Sequence, residues 1–156
     1  MDMQIQRLSF IICVYTQNMN DVSCICISLR KAANHISKLY DHELSALNIK
    51  ITQYSTLKNI KDLGNPTVHE LSRKLDLERT TVLRNLDKLK KVDLISYKKN
   101  DVYKVKVISL TVNGKKKLND AKVIWEKTQQ KFLNAFGLSN NNQFDLLMNK
   151  ISKLNF

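Results

Sequence analysis

Glycine and proline are scarce here, with three Gly and one Pro in 156 residues. A chain built from many short strands needs both at its tight turns, so their scarcity argues for a mainly helical protein. Cysteine is scarce too. Cys13, Cys24 and Cys26 are few and odd in number, which excludes a disulfide framework and fits a reducing, cytoplasmic setting. No stretch approaches the ~20 apolar residues of a membrane-spanning helix, so no membrane partner is expected. The three histidines, His35, His42 and His69, lack ligand spacing, and no metal centre is implied. There is no glycine-rich phosphate loop, no nucleophile beside a base and no paired carboxylate. The chain therefore does not read as an enzyme, and no cofactor is called for. Negative charge is also short: 14 Asp and Glu stand against 26 Lys and Arg, a formal net charge of +12. Most of the excess lies between Lys58 and Lys131, and a polyanion is the natural partner for it. Lys, Asn and Ile are also favoured by codons rich in A and T, a second source for some of the lysines.

What is present is organised around Thr67 to Lys91, TVHELSRKLDLERTTVLRNLDKLKK. Thr67 followed three residues later by Glu70 predicts a capping box, and Pro66 discourages helix before it. Leu71 and Leu75 give the first helix an apolar stripe. Asp76-Leu77 breaks the pattern, and a second helix is predicted from Glu78 to Lys91. Val82, Leu86 and Leu89 form its apolar face; Thr81, Arg84, Lys88 and Lys91 form the opposite one. A helix lying in a DNA major groove needs that division, one side held by a core and the other offering donors. A basic amphipathic helix on its own is most often a solvated surface helix, and only its neighbours change the reading.

After Lys91 the period shortens to two. Leu94–Lys99 and Val102–Leu110 predict a hairpin turning at Asn100-Asp101, with Tyr103, Val105 and Val107 on one face and Lys104 and Lys106 on the other. Placed after a basic helix, a hairpin carrying Lys98, Lys99, Lys104 and Lys106 reads as a wing whose lysines reach phosphates; its plain reading is an edge that lysine protects from aggregation. Before the helix pair, the spacing predicts one long helix over residues 20–47 and another from Ile51 to Asp62. After the hairpin, it predicts Thr111 as the cap of a helix from Val112 to Phe136, and a last helix from Asn141 to Leu154. Residues 1–19, with the apolar run Leu8–Tyr15 behind Arg7, read as an N-terminal arm or start-site extension. No small-residue cleavage site follows them, and Met19 stands just before the first helix.

The expected fold is mainly α with a small two- or three-stranded β wing: a winged helix-turn-helix over residues 51–110, between long dimerisation helices at 20–50 and 111–156. Two copies about a twofold axis would present two recognition helices roughly one DNA turn, ~34 Å, apart.

This order of elements, and the residues in it, resembles the MarR family of winged-helix transcriptional regulators. Cys24-Ile-Cys26-Ile-Ser-Leu29-Arg30-Lys-Ala32-Ala33 and Leu39-Tyr40-Asp41 resemble the opening helix of one subgroup. Ile51-Thr52-Gln53-Tyr54-Ser55-Thr56-Leu57 resembles its second helix. Glu78-Arg79-Thr80-Thr81-Val82-Leu83-Arg84-Asn85-Leu86 resembles its D-R-T-T-L-T-R-N-L recognition run. Leu110-Thr111-x-x-Gly114, then Leu118, Ala121, Trp125 and Gln129, resemble the start of its dimer helix. The chain departs from the family at the wing, where Asp101 is followed by Val102-Tyr103-Lys104 and not by Asp-x-Arg. It also has Glu78 for the usual Asp, and Asn34 where the subgroup tends to have Arg.

The resemblance implies a homodimer that binds double-stranded DNA at a pseudo-palindromic operator, as a repressor released by a small aromatic effector. DNA contacts are expected from Arg79, Thr80, Thr81, Arg84, Asn85 and Lys88 and, on the wing, from Lys98, Lys99 and Lys104. Arg84 suits bidentate reading of guanine and Asn85 reading of adenine; the plain alternatives for Arg84 are a phosphate clamp and an intrachain ion pair with Asp87 or Glu78. In resembling proteins, small anionic aromatics bind between the dimer helices and the winged domain. Candidates for that pocket are His35, Tyr40, Tyr54 and Trp125, each of which also reads as core. Cys24 and Cys26 are redox candidates whose plain reading is as buried small hydrophobes; two residues apart on a helix they point ~200° apart and cannot bond to each other. The rival functions are an adaptor whose winged domain docks a protein, and a nucleoid-type binder blind to sequence.

Overall fold

The structure, a computed structural model, describes residues 24–99, 105–137 and 142–154. Helix α1 runs Ile25–Leu44 and tightens into a 3-10 turn, Ser45–Leu47. Then come α2 (Ile51–Leu63), α3 (Val68–Leu75), α4 (Arg79–Lys91), β1 (Ile95–Lys99), β2 (Lys106–Leu110), α5 (Val112–Ala135) and α6 (Asn142–Ser152). A helix-turn-helix followed by a hairpin is a winged helix, as the sequence leads one to expect. The expected N-terminal arm and the tip of the hairpin lie outside the described residues, as does the expected helical start at 20–23.

The described chain divides into two compact units. One spans Ser37–Thr128; the other joins the residues before Ser37 to those after Thr128. In the first, Leu44, Tyr54, Leu57 and Ile60 pack with Leu71 of α3, Val82, Leu86 and Leu89 of α4, Ile95 and Ile108 of the hairpin, and Leu118 and Ala121 of α5. At ~1 kcal/mol or more for each such side chain removed from water, this cluster is what holds the recognition elements in place. The second unit is helical. Phe132 and Phe136 stack within it at 6.2 Å.

Each helix ends where its sequence stops supplying backbone partners. The α1 helix was expected to run unbroken to Leu47; it leaves α geometry at Leu44, and Asn48 closes the 3-10 turn at φ 50°. Asp41 then bonds forward, its carboxylate accepting from the Ile51 amide at 2.7 Å, so one acidic side chain caps α2 from ten residues away. Gly64, at φ 67°, ends α2.

The two strands pair antiparallel, Ile95 opposite Leu110 through to Lys99 opposite Lys106. The described second strand is Lys106–Leu110, the expected start at 102–104 lying outside the described residues, and it does not alternate: Val107, Ile108 and Ser109 are all buried. Both edges of β2 are also occupied. Beyond β1 on one edge, the Ile108 amide donates to the Pro66 carbonyl at 2.8 Å on the other. Among the described residues, this one hydrogen bond stands where a third strand would pair.

Candidate nucleic-acid interface

Three joints position α4. At the start of α3, the helix that leads into it, Thr67 and Glu70 form the expected capping box: the Glu70 amide donates to Thr67 Oγ1 at 3.2 Å, and the Thr67 amide donates to Glu70 Oε2 at 2.7 Å. Those bonds from Thr67 hold the Glu70 carboxyl below its usual range. At the turn, Asp76 adopts φ 51°, and the Leu77 amide donates to the Ser72 carbonyl at 3.1 Å. This left-handed residue, tolerable for Asp, redirects the chain in three positions. Glu78 then precedes α4 without a side-chain cap bond, so the first amides of α4 have no capping side chain to accept from them.

Val82, Leu86 and Leu89 are fully buried. At about 100° per residue, the direction opposite them falls among Thr80, Thr81, Arg84, Lys88 and Lys91, and all five are exposed. Asn85 lies half-buried at the flank of this face, while Arg79 is exposed at the helix start. The alternative reading of Arg84, an intrachain ion pair, is not what the structure contains. Among the described residues, Arg84 forms a salt bridge with neither Asp87 nor Glu78. The helix thus presents a face of hydroxyl, guanidinium and ammonium groups, with the Asp87 carboxylate at its edge, opposite an apolar one.

The hairpin stands beside this helix through Tyr97. The Lys106 ammonium lies 4.3 Å from the Tyr97 ring centre and that of Lys90, on α4, lies 5.6 Å from it. Two cations on one ring tie β1, β2 and the end of α4 together. Burial, and then the charge of Asp87, raise the Tyr97 phenol above its usual pKa. Lys98 and Lys99 are exposed, and Lys99 stands opposite Lys106 in the ladder, concentrating positive charge at the outer end of the strands. Lys104 lies outside the described residues.

The hairpin's root is locked by Asp93 and Thr111. Thr111 Oγ1 donates to the Asp93 carbonyl at 2.6 Å and accepts from the Gly114 amide at 2.9 Å; Asn113 donates to the Asp93 carboxylate at 2.8 Å. Gly114 passes so close to the chain before β1 that an added Cβ would lie 1.9 Å from the Leu94 carbonyl oxygen. A side chain at Gly114 would push the wing away from α5.

The proposed effector residues fall in different settings. Tyr54 is buried and stacks on half-buried Trp125, ring centres 5.8 Å apart. Burial, with the negative charges of Glu126 and Asp62 behind it, pushes the Tyr54 phenol up to about 12. Tyr40 is buried and its phenol is likewise raised by burial. His35 is exposed on α1. Cys24 and Cys26, read from sequence as buried small hydrophobes, are both exposed, because no described part of the chain covers the first turn of α1. The sequence reading missed Lys90, whose role depends on a tyrosine seven residues on, and it missed Asp41 as a cap. Neither leaves a periodic signal. Among the described residues, no group of three or more His, Cys, Asp or Glu is placed to hold a metal ion. No described helix is long and apolar enough to cross a membrane.

Residues 49–101, from the start of α2 to the wing, match the model of the MarR family. No curated protein matches the chain in sequence. Among solved structures, the chain resembles the M. tuberculosis transcriptional regulator MosR, with 25% identity, a TM-score of 0.72 and coverage of 85% of this chain and 95% of that one. MosR in complex with DNA matches at 27% identity and a TM-score of 0.70, covering 85% of this chain and 100% of that one. The S. aureus MepR–DNA complex shares the fold at 20% identity, with a TM-score of 0.71 and coverage of 82% and 94%.

Proposed function

We propose that the chain is a MarR-family transcriptional regulator that binds double-stranded DNA as a homodimer and reads a pseudo-palindromic operator. One observation carries this reading: Val82, Leu86 and Leu89 are wholly buried, while Thr81, Arg84, Lys88 and Lys91 share the exposed face of the same helix. Its likeness to MosR, which has been seen with DNA, supports it.

In this reading α4 lies in the major groove. Arg84 forks onto guanine, and Asn85 reads adenine from the flank. Arg79, Thr80 and Thr81 meet bases or phosphates at the helix start, where uncapped amides favour an anion. Lys88 holds the backbone, and the wing's Lys98, Lys99 and Lys104 neutralise phosphates beside the groove. With lysine at these places and not arginine, the wing contributes charge without planar recognition. The terminal helices pair two copies, since Ile25, Ile27, Phe136, Phe144 and Leu147 are exposed apolar residues of the kind a second subunit covers.

The protein acts in the cytoplasm as a repressor. A small aromatic effector would use Tyr40, Tyr54, Trp125 and His35. The exposed Cys24 and Cys26 thiols are open to oxidants, which makes redox control a second input. Selecting bound duplexes from a random pool tests the DNA reading. A twofold-symmetric motif with half-sites about one turn apart is expected. Recovery of unenriched sequence would assign a nucleoid-type binder, and failure to retain any duplex at low salt would assign an adaptor.

A further inference from the structure

Behind the wing, where α2 ends, the hairpin begins and α5 starts, a cavity of about 370 Å³ opens. Its polar lining is Lys61 and Asn65 from the end of α2, Lys98 from β1, Ser109 from β2, and Lys115 and Asn119 from α5. No carboxylate lines it, and no described salt bridge engages any of its three lysines. Asp62, the nearest acid in sequence to Lys61, is held by Lys58. Ser109 is only 3% exposed, and its hydroxyl is the one buried side-chain polar atom among the described residues without a hydrogen-bond partner. A buried hydroxyl left unpaired is costly, and native proteins seldom carry one without a reason.

We infer that this cavity is a binding site for a small phosphate-bearing anion. Three ammonium groups with no counter-ion match the charge of a phosphate, close to two at neutral pH, better than the single charge of a carboxylate. The Asn65 and Asn119 amides and the Ser109 hydroxyl supply neutral donors for the remaining oxygens. Part of the wall, Ser109, is almost wholly buried, which suits a molecule small enough to enter the cavity. The site is separate from the exposed face of α4, shares only Lys98 with the DNA contacts proposed for the wing, and does not rest on the DNA reading.

The test uses the full chain and inorganic phosphate against chloride at matched ionic strength, followed by amide NMR. Saturable shifts are expected at Gly64, Asn65, Ser109 and Asn119, with acetate binding more weakly. The double variant Lys61→Gln, Lys115→Gln should weaken phosphate binding about tenfold or more. Ser109→Ala should also weaken it, while melting no lower than the wild type in chloride, since it removes an unpaired hydroxyl. That second variant keeps the test readable if the lysine variant folds poorly. Duplex affinity of the lysine variant should stay within about twofold of wild type, because neither lysine is on the α4 face. Shifts that stay linear in phosphate, shifts confined to Arg79–Thr81, or tighter binding of acetate would overturn the inference. So would loss of duplex affinity in the lysine variant without any phosphate site in the wild type, which would assign these lysines to the DNA backbone.

Discussion

The unit spanning Ser37–Thr128 and the terminal helical segments are built on opposite principles. The first closes on itself: every buried residue among those described belongs to it, from Tyr40 to Thr128. Among the described side chains before Ser37 and after Thr128, none is buried, although Ile25, Phe136, Phe144 and Leu147 are as apolar as anything in the core. The lesson is one of division. The central unit buries the apolar face of α4 within itself, whereas the terminal helices carry apolar residues that no described part of the chain buries.

The largest effect that can break this contrast is a truncation on each side of it. Leu86→Ala, at a fully buried site, should cost about 2–5 kcal/mol in urea unfolding. Ile25→Asp with Leu29→Asp should instead leave the central unit's own melting unchanged and convert dimer to monomer in sedimentation; unfolding of the central unit in that variant would deny its independence. Next, Gly114→Ala should destabilise by about 1–3 kcal/mol, because its Cβ meets the Leu94 carbonyl oxygen and the wing root must shift. Wild-type stability there would mean that the α5–wing joint is loose.

The capping box comes third. Thr67→Ala should cost about 1 kcal/mol by thermal unfolding. Glu70 adds a pH signature: its carboxyl is depressed in the fold, so its contribution is present above the ordinary carboxylate range and is lost as pH falls through the folded value. The gap between wild type and Glu70→Gln should therefore narrow in acid. Tyr54 supplies the opposite sign. With its phenol raised from 10.0 to about 12, its contribution is present below the ordinary value and is lost as pH rises toward the folded one. Wild type should weaken over that window more than Tyr54→Phe, in which the raised phenols of Tyr40 and Tyr97 remain.

How much of this could be read from the sequence depends on how local each cause is. The capping box, the break at Asp76 and the two faces of α4 are each written within a dozen residues, and the structure has them where the periodicity places them. The second edge partner of β2 could not be read that way, because it is the Pro66 carbonyl, forty-two positions before Ile108. Asp41 as the cap of α2, Gly114 under Leu94, and the lysine cavity with Ser109 are likewise products of chain segments meeting. The exposure of Cys24 and Cys26 inverts a compositional rule for a further reason: in one copy of the chain, nothing described lies over them.

The central claim is that the outward face of α4 reads DNA bases. The direct measurement is the affinity of Arg84→Ala for the selected operator and for a scrambled duplex of the same length. The account expects a loss of about 1–3 kcal/mol on the operator, with relaxed preference at one position per half-site, and little change on the scrambled duplex. An Arg84→Ala protein that binds the operator as tightly and as selectively as the wild type would contradict it.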